Sequence, residues 1–413
     1  MMYQWILALK KPSNQLWVTA TSWAVVTAIF VFSLRLGART IEVGTLPNIQ
    51  QDTLESLLNV IASSMLAVST FSLSIMVSAF ASASSGATPR ATDLVMGDST
   101  TRTAITSFIC AFIYAIIAKT ALGMAFYEQN GRFILFISTI AVLLYLIITL
   151  IRWVYTLSQL GRLGNTLEKI EQVTDKALQQ YRTYPQMKAV SDHLLTDQAK
   201  NITAKKSGYL THIDMQTLQN KMENMDGYMH IYVRPGELIS PDTAICAVES
   251  QAELDEEVIR QCFVLSKVRT YEQDPNWGFI VLSEAAQRAL SPAVNDPGTA
   301  INIMAMMMGL FVKETPAKET EETGYDRLSI AHLACGEWIR DAFAPISRDG
   351  AGILEVNLVM QKVLASIWRN APEKDVSEAA LLMASQALER ASQSLSLQVD
   401  IDRLREKHQR LFQ

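Results

Sequence analysis

Residues Ser63–Ser85 read SSMLAVSTFSLSIMVSAFASASS, and they lie inside 34 consecutive uncharged positions between Glu55 and Arg90. A bilayer core about 30 Å thick is crossed by roughly 20 apolar residues in a helix, so this stretch spans a membrane with length to spare. Three neighbouring gaps repeat the signal. Lys11 to Arg35 encloses 23 uncharged residues, Arg102 to Lys119 encloses 16 with eight more before Glu128, and Arg132 to Arg152 encloses 19. The 258 residues after Tyr155 contain no such stretch. The expected fold is therefore membrane α-helical: a four-helix transmembrane bundle in residues 1–156, with spans near 14–35, 56–84, 103–126 and 133–153, followed by a cytoplasmic α+β domain. The first apolar run exceeds the 7–15 residues usual for the core of a signal peptide, so a retained span is expected.

The hydroxyls of the quoted stretch are periodic. Thr70, Ser74, Ser78 and Ser82 are each four residues apart, and such residues share one helix face. Met65, Val68, Phe71, Ile75, Met76 and Phe80 are expected on the other side. Two readings follow: small residues let membrane helices pack closely, or the polar face lines a water-filled path. Both keep the hydroxyls away from lipid. Lys119, inside the third span, costs at least a few kcal/mol at mid-bilayer unless it reaches water or a partner. The spacing favours snorkelling to the outer surface, and the alternative is a cation at the mouth of an anion-favouring pore.

Orientation follows from the basic residues, which are retained on the cytoplasmic side. Lys10, Lys11, Arg90, Arg102, Arg152 and Arg162 flank the spans on one side, against Arg35, Arg39 and Arg132 on the other. Both termini are thus expected in the cytoplasm. Trp17, Trp23, Tyr127, Trp153 and Tyr155 fall near span ends, the depth at which amphipathic rings settle. Residues 1–156 hold nine Lys+Arg and six Asp+Glu, a net +3, which leaves 27 and 35, a net −8, for the rest. An acidic soluble part repels phosphate backbones, so no nucleic-acid partner is expected. The four cysteines form no C-x-x-C pair, and free thiols are expected.

Beyond the spans, Leu157, Leu160, Leu163, Leu167, Ile170 and Val173 recur at helical spacing, predicting an amphipathic linker helix within 157–200. Residues 201–252 change period. SGYLTHID and GYMHIYVRP have strand composition, and RPGELISPD carries turns, so a small β-rich module is expected. Residues 253–413 read as a mostly helical domain, with helices at 254–267, 276–290, 297–313, 335–345, 350–369, 375–396 and 399–411.

The densest cluster of special residues is RTYEQDPNWGFIVLSEAAQRALSPAVNDPGTA, from Arg269 to Ala300. Asp274-Pro275 makes a turn, and Asp296 suits a helix N-cap with Pro297 at the first helical position. Gly298 and Thr299 then leave backbone amides at a positive helix end, which holds an anion if Arg269 approaches. The plainer reading is two capped helices joined by a tight corner. Arg269, Asp274, Arg288, Asn295, Asp296 and Thr299 are the candidate ligand or structural residues.

The chain also resembles the bacterial predicted membrane proteins of domain-of-unknown-function family 2254. The resemblance rests on Arg269, Thr270, Gln273, Asp274 and Gly278, on Arg288 to Pro292, on Asn295 to Pro297 with Thr299 and Ala300, and on SGYLTHID and RPGELISP. At Ala87-Thr88-Pro89-Arg90 the family's longer aromatic-Ser-Pro-Arg form is replaced. The resemblance implies a fold outline and an inner-membrane address, and carries neither an activity nor a residue of known role. Nucleotide-binding, zinc-protease and serine-hydrolase motifs are missing, and the five histidines are scattered. No catalytic residue, metal site or cofactor is expected, and the chain does not read as an enzyme. The expected partners are the lipid bilayer, further copies of the chain, and an ion or small anion. Two functions fit: a homo-oligomeric channel or pore gated by its cytoplasmic domain, and a membrane-anchored sensor or scaffold that binds a small anion or a protein.

Overall fold

A computed structural model describes residues 21–33, 46–91, 94, 99–157, 162–252, 255–314 and 324–413. Their contacts form two compact units, Met1–Ser85 with Pro89–Thr166, and Gly86–Thr88 with Leu167–Gln413.

The first unit is helical among its described residues: α1 (Thr21–Ser33), α2 (Gln51–Gly86), α3 (Ser99–Gly123) and α4 (Gln129–Leu157). Three of them, α2, α3 and α4, are long and apolar enough to cross a bilayer. The described part of α1 is shorter, and the rest of the expected 14–35 span lies outside the described residues. At 1.5 Å per residue α2 runs about 54 Å, longer than the hydrocarbon core. The unit's core joins Leu54, Leu58 and Ile61 of α2 to Phe108, Tyr114 and Ala118 of α3 and Leu135 and Trp153 of α4. Polar ties supplement it: the Tyr114 hydroxyl lies 3.0 Å from Ser138 Oγ and 2.9 Å from Thr139 Oγ1, and Tyr127 donates to the Val31 carbonyl at 2.5 Å. Inside hydrocarbon such groups have few other partners, which favours these pairings.

Most of α5 (Leu163–Thr183) belongs to the second unit, which resumes at Leu167. Leu167, Ile170, Thr174, Ala177, Leu178 and Arg182 are buried along one face, so α5 is a core element of this unit as well as a connection. Strands β1 (Lys200–Thr203), β2 (Gly208–Ile213), β3 (Tyr228–Ile231), β4 (Leu238–Ile239) and β5 (Ala244–Glu249) follow, with α6 (Met215–Asn224) between β2 and β3. The sheets recruit strands from further along. α7 (Glu256–Gln261) ends where β6 (Phe263–Ser266) begins, so the expected 254–267 helix is divided. The reason is tertiary pairing: Phe263 to Ser266 run antiparallel to Tyr209 to Ile213, and a short apolar run is settled by its neighbours and not by its own period. β7 (Leu328–Ile330) then lies parallel to β3, with Met229 opposite Leu328 and Ile231 opposite Ile330. The result is a four-stranded sheet ordered β1-β5-β3-β7 and a three-stranded sheet ordered β4-β2-β6, around a core of Ile202, Leu210, Leu218, Met222, Ile231, Cys246 and Leu328.

The remainder is helical: α8 (Pro275–Leu290), α9 (Pro297–Val312), α10 (Gly336–Asp349), α11 (Leu354–Asn370), α12 (Lys374–Ser394) and α13 (Gln398–Phe412). α8 packs on α9 and α10, α11 on α9 and α12, and α13 on α11. Aromatic rings fill the centre, with Phe279 stacked on Phe311 at 4.1 Å between centroids and Trp338 beside Phe279. The chain is thus mostly helical, with an apolar helical unit and a second unit that contains all the described strands.

Candidate functional site

The Arg269–Ala300 segment builds two sites, one at each end of α8. At the N-terminal end Asp274 is the N-cap and Pro275 opens the helix, where its missing N–H removes a donor that would lack an intrahelical partner. Asp274 is 3% exposed. Arg269 grips it with two bonds, Nε to Oδ2 at 2.7 Å and an Nη2 contact with Oδ1 at 2.9 Å, and the guanidinium lies 5.1 Å from the Trp277 ring centre. Burial pushes the Asp274 carboxyl up, while Arg269 and the Trp277 amide pull it the other way.

Two further motif segments converge here, and α5 packs beside them. Gln273 Oε1 accepts the Ile213 amide at 3.0 Å, tying the QD pair to the end of SGYLTHID. Gly236 of the Arg234-Pro235-Gly236 turn has φ +100, and a Cβ there would fall 2.6 Å from Asp274 Oδ2, so glycine is required on both counts. Gly278, one turn into α8, meets α5: a Cβ would lie 1.8 Å from Thr174 Oγ1.

At the far end, about 24 Å along a 16-residue helix, the chain turns through Ser291 to Asp296. Ser291 Oγ donates to the Arg288 carbonyl at 2.7 Å, Asn295 adopts a left-handed φ of +50, and Asp296 caps α9. Its carboxylate accepts the Thr299 amide at 3.0 Å and the Thr299 hydroxyl at 2.6 Å, bonds that hold it below the usual carboxylate range. The carboxylate already occupies the position an exogenous anion would take. Arg269 therefore does not serve this helix end, contrary to the expected approach: it is spent on Asp274, and the six candidate residues separate into Arg269 with Asp274 and Arg288, Asn295, Asp296 with Thr299. Both groups are corners of the fold.

In the first unit, the hydroxyl stripe points outward. Thr70, Ser74, Ser78 and Ser82 are exposed on the single chain, while Leu54, Leu58, Ile61, Met65, Ser72 and Ala79 form the buried side of α2. Of the bulky residues expected opposite the stripe, Met65 is buried, Val68, Ile75, Met76 and Phe80 are half-buried, and Phe71 is exposed. Thr70 Oγ1 donates to its own helix, to Ala67 O at 2.9 Å. Lys119 lies one turn before the end of α3, and its Nζ donates to Asn59 Oδ1 of α2 at 3.0 Å. A side-chain partner was invisible in the sequence, because Asn59 is 60 positions away.

Reactive side chains are subdued. Cys110, Cys246, Cys262 and Cys335 are free thiols, and burial pushes Cys262 and Cys335 up to about 12, far from the thiolate a nucleophile needs. Among the described residues no three of His, Cys, Asp and Glu gather closely enough to hold a metal ion.

An apolar helical unit with spans of bilayer length, joined to a larger α+β unit, defines a membrane protein. The family described as predicted membrane protein (DUF2254) matches residues 13–366, and the chain belongs to it. No curated protein and no solved structure matches the chain.

Proposed function

We propose that the chain is a four-span protein of the bacterial inner membrane with both termini in the cytoplasm, and that several copies surround a closed axis to form an ion-conducting pore. The observation that carries this reading is the direction of the hydroxyl stripe. Thr70, Ser74, Ser78 and Ser82 lie on the side of α2 away from the chain's own core, so in a lone protomer they would face acyl chains. A row of small hydroxyl residues there is better matched to a neighbouring copy or to water. Four helices enclose little space, and a path therefore needs several subunits about a symmetry axis. Lys119, held by Asn59 near the end of α3, would place a cation at the outer mouth and favour anions. The second unit assembles or gates the pore and performs no catalysis.

The test is flux through liposomes containing the purified protein. Ser74→Leu with Ser78→Leu fills the path and is expected to abolish flux; flux at the wild-type rate refutes the assignment.

One observation favours a second reading, a membrane-anchored sensor: the second unit contains a cavity of about 270 Å³. The two readings are compatible, since a bound ligand is a means of gating.

A further inference from the structure

The cavity lies where α5, the β2–α6 junction, the Arg234-Pro235-Gly236 turn and the start of α8 meet. We infer that it binds a small organic anion carrying a flat ring, an inference that rests on the sensor reading and gives it a site and a ligand class. Arg234 is the principal observation. It is 4% exposed, its Nε donates to the Ala331 carbonyl at 2.7 Å and its Nη1 to the Pro185 carbonyl at 3.0 Å. Nη2 has no acceptor among the described residues, and Arg234 lines the cavity. A buried guanidinium held in place by two carbonyls, with donor capacity left over, is a preformed anion seat.

The rest of the lining carries both signs, Lys188 against Asp214 and Glu272, so the anion seat is set by Arg234 and not by a general positive field. Two helix N-termini lie at the same space, α6 at Asp214 to Gln216 and α8 at Gln273 and Pro275, and each is already capped by its own aspartate, Asp214 or Asp274, so neither adds an anion seat. The Asp214 carboxylate is engaged as the α6 cap, accepting the Thr217 amide at 3.1 Å and the Thr217 hydroxyl at 2.8 Å. Glu272 also lines the cavity, and burial holds the neighbouring His212 below the usual imidazole range against the smaller opposing pull of Glu272 and Asp214. A second cation sits at the rim: Lys188 Nζ lies 4.8 Å from the centre of the Tyr184 ring.

The walls specify the rest of the ligand. Tyr181, Tyr184 and Tyr325 face the space together with Met187, a lining suited to a flat apolar ring. Met187 and Lys188 both hold left-handed backbone, with φ +51 and +65, a strained conformation that fixes the rim. A volume of about 270 Å³ is at the lower end for ligand sites and suits one ring with one anionic group, either a carboxylate or a phosphate.

Binding of benzoate, phenyl phosphate and inorganic phosphate to the full-length protein in nanodiscs, measured by calorimetry, tests the inference. A ring-bearing probe is expected to bind at least tenfold more tightly than phosphate. Preference for benzoate or for phenyl phosphate identifies the head group. Arg234→Lys should weaken that binding at least tenfold. Because Arg234 also holds two carbonyls, a second variant is needed: Gln180→Trp, at an exposed rim position, should block the site with an unchanged thermal midpoint. Binding that survives both variants overturns this site while leaving a sensor that binds elsewhere. Failure of all three probes, or phosphate binding as tightly as the ring-bearing probes, overturns the ligand class and leaves only the protein-partner form of the sensor reading.

Discussion

Replacing Arg182 with methionine is expected to destabilise the second unit by about 3–5 kcal/mol, the range for removing one partner of a buried ion pair. Arg182 reaches from α5 to two other helices. Its Nε and Nη2 bind both Glu373 oxygens, at 2.7 and 3.0 Å, ahead of α12. Its remaining donor capacity serves the end of α9, with Nη1 donating to Leu310 O and Lys313 O and Nη2 to Phe311 O. The last carbonyls of a helix have no intrahelical donor, and α9 ends in extended backbone at Lys313 instead of a glycine cap.

The larger share of the loss falls on these carbonyls. Glu373 keeps 15% of its side chain exposed and can turn to water, whereas the contacts to Leu310 and Phe311 are buried. Each buried acceptor left without a donor costs roughly 1–3 kcal/mol. Arg182→Lys should recover less than half, because an ammonium lacks the planar fork that serves carboxylate and carbonyls together. The measurement is the unfolding midpoint of the full-length protein, which should fall by on the order of 10 °C for a unit of this size. A methionine variant within about 1 kcal/mol of wild type, well below the loss expected for a buried pair, would show that the cross-link is ornamental.

Gly278→Ala is the second large effect, and it acts through volume. The added Cβ would sit 1.8 Å from Thr174 Oγ1 and 2.6 Å from Thr174 Cβ, so no rotation of the threonine clears it and α5 must move away from α8. Overpacking of this kind costs about 1–3 kcal/mol and occasionally more, and the short distance to Cβ places this case at the upper end. Thr174→Ser should not rescue the variant, since the Cβ remains. Thr174→Gly should recover most of the loss, short of the roughly 1 kcal/mol that glycine costs inside a helix. Chemical denaturation of the three variants decides it: equal behaviour of the serine and glycine double mutants would contradict the close approach.

These two positions mark what the sequence conceals. The membrane character was legible because charge gaps of bilayer length need no partner to be read. The Asp296 cap with Pro297 was legible too, since capping chemistry is local. Arg182 and Glu373 are 191 positions apart and Thr174 and Gly278 more than a hundred, and neither pair leaves a periodic trace. β6 and β7 escaped for the same reason: Phe263–Ser266 and Leu328–Ile330 are short apolar runs whose strand character comes from β2 and β3. Arg269 was legible as special, and only the fold assigned it to Asp274, five residues away, over the more distant helix end.

The central claim, that the hydroxyl face of α2 meets water at an axis between copies, is tested most directly by thiol accessibility in native membranes. Single cysteines at Thr70, Ser74, Ser78 and Ser82, in a background with the four natural cysteines replaced, should react with a membrane-impermeant thiosulfonate. Cysteines at Ile148 and Ile151, exposed apolar positions on α4, should not. Stripe positions no more reactive than Ile148 and Ile151 would place the hydroxyls in lipid or dry packing and contradict the pore.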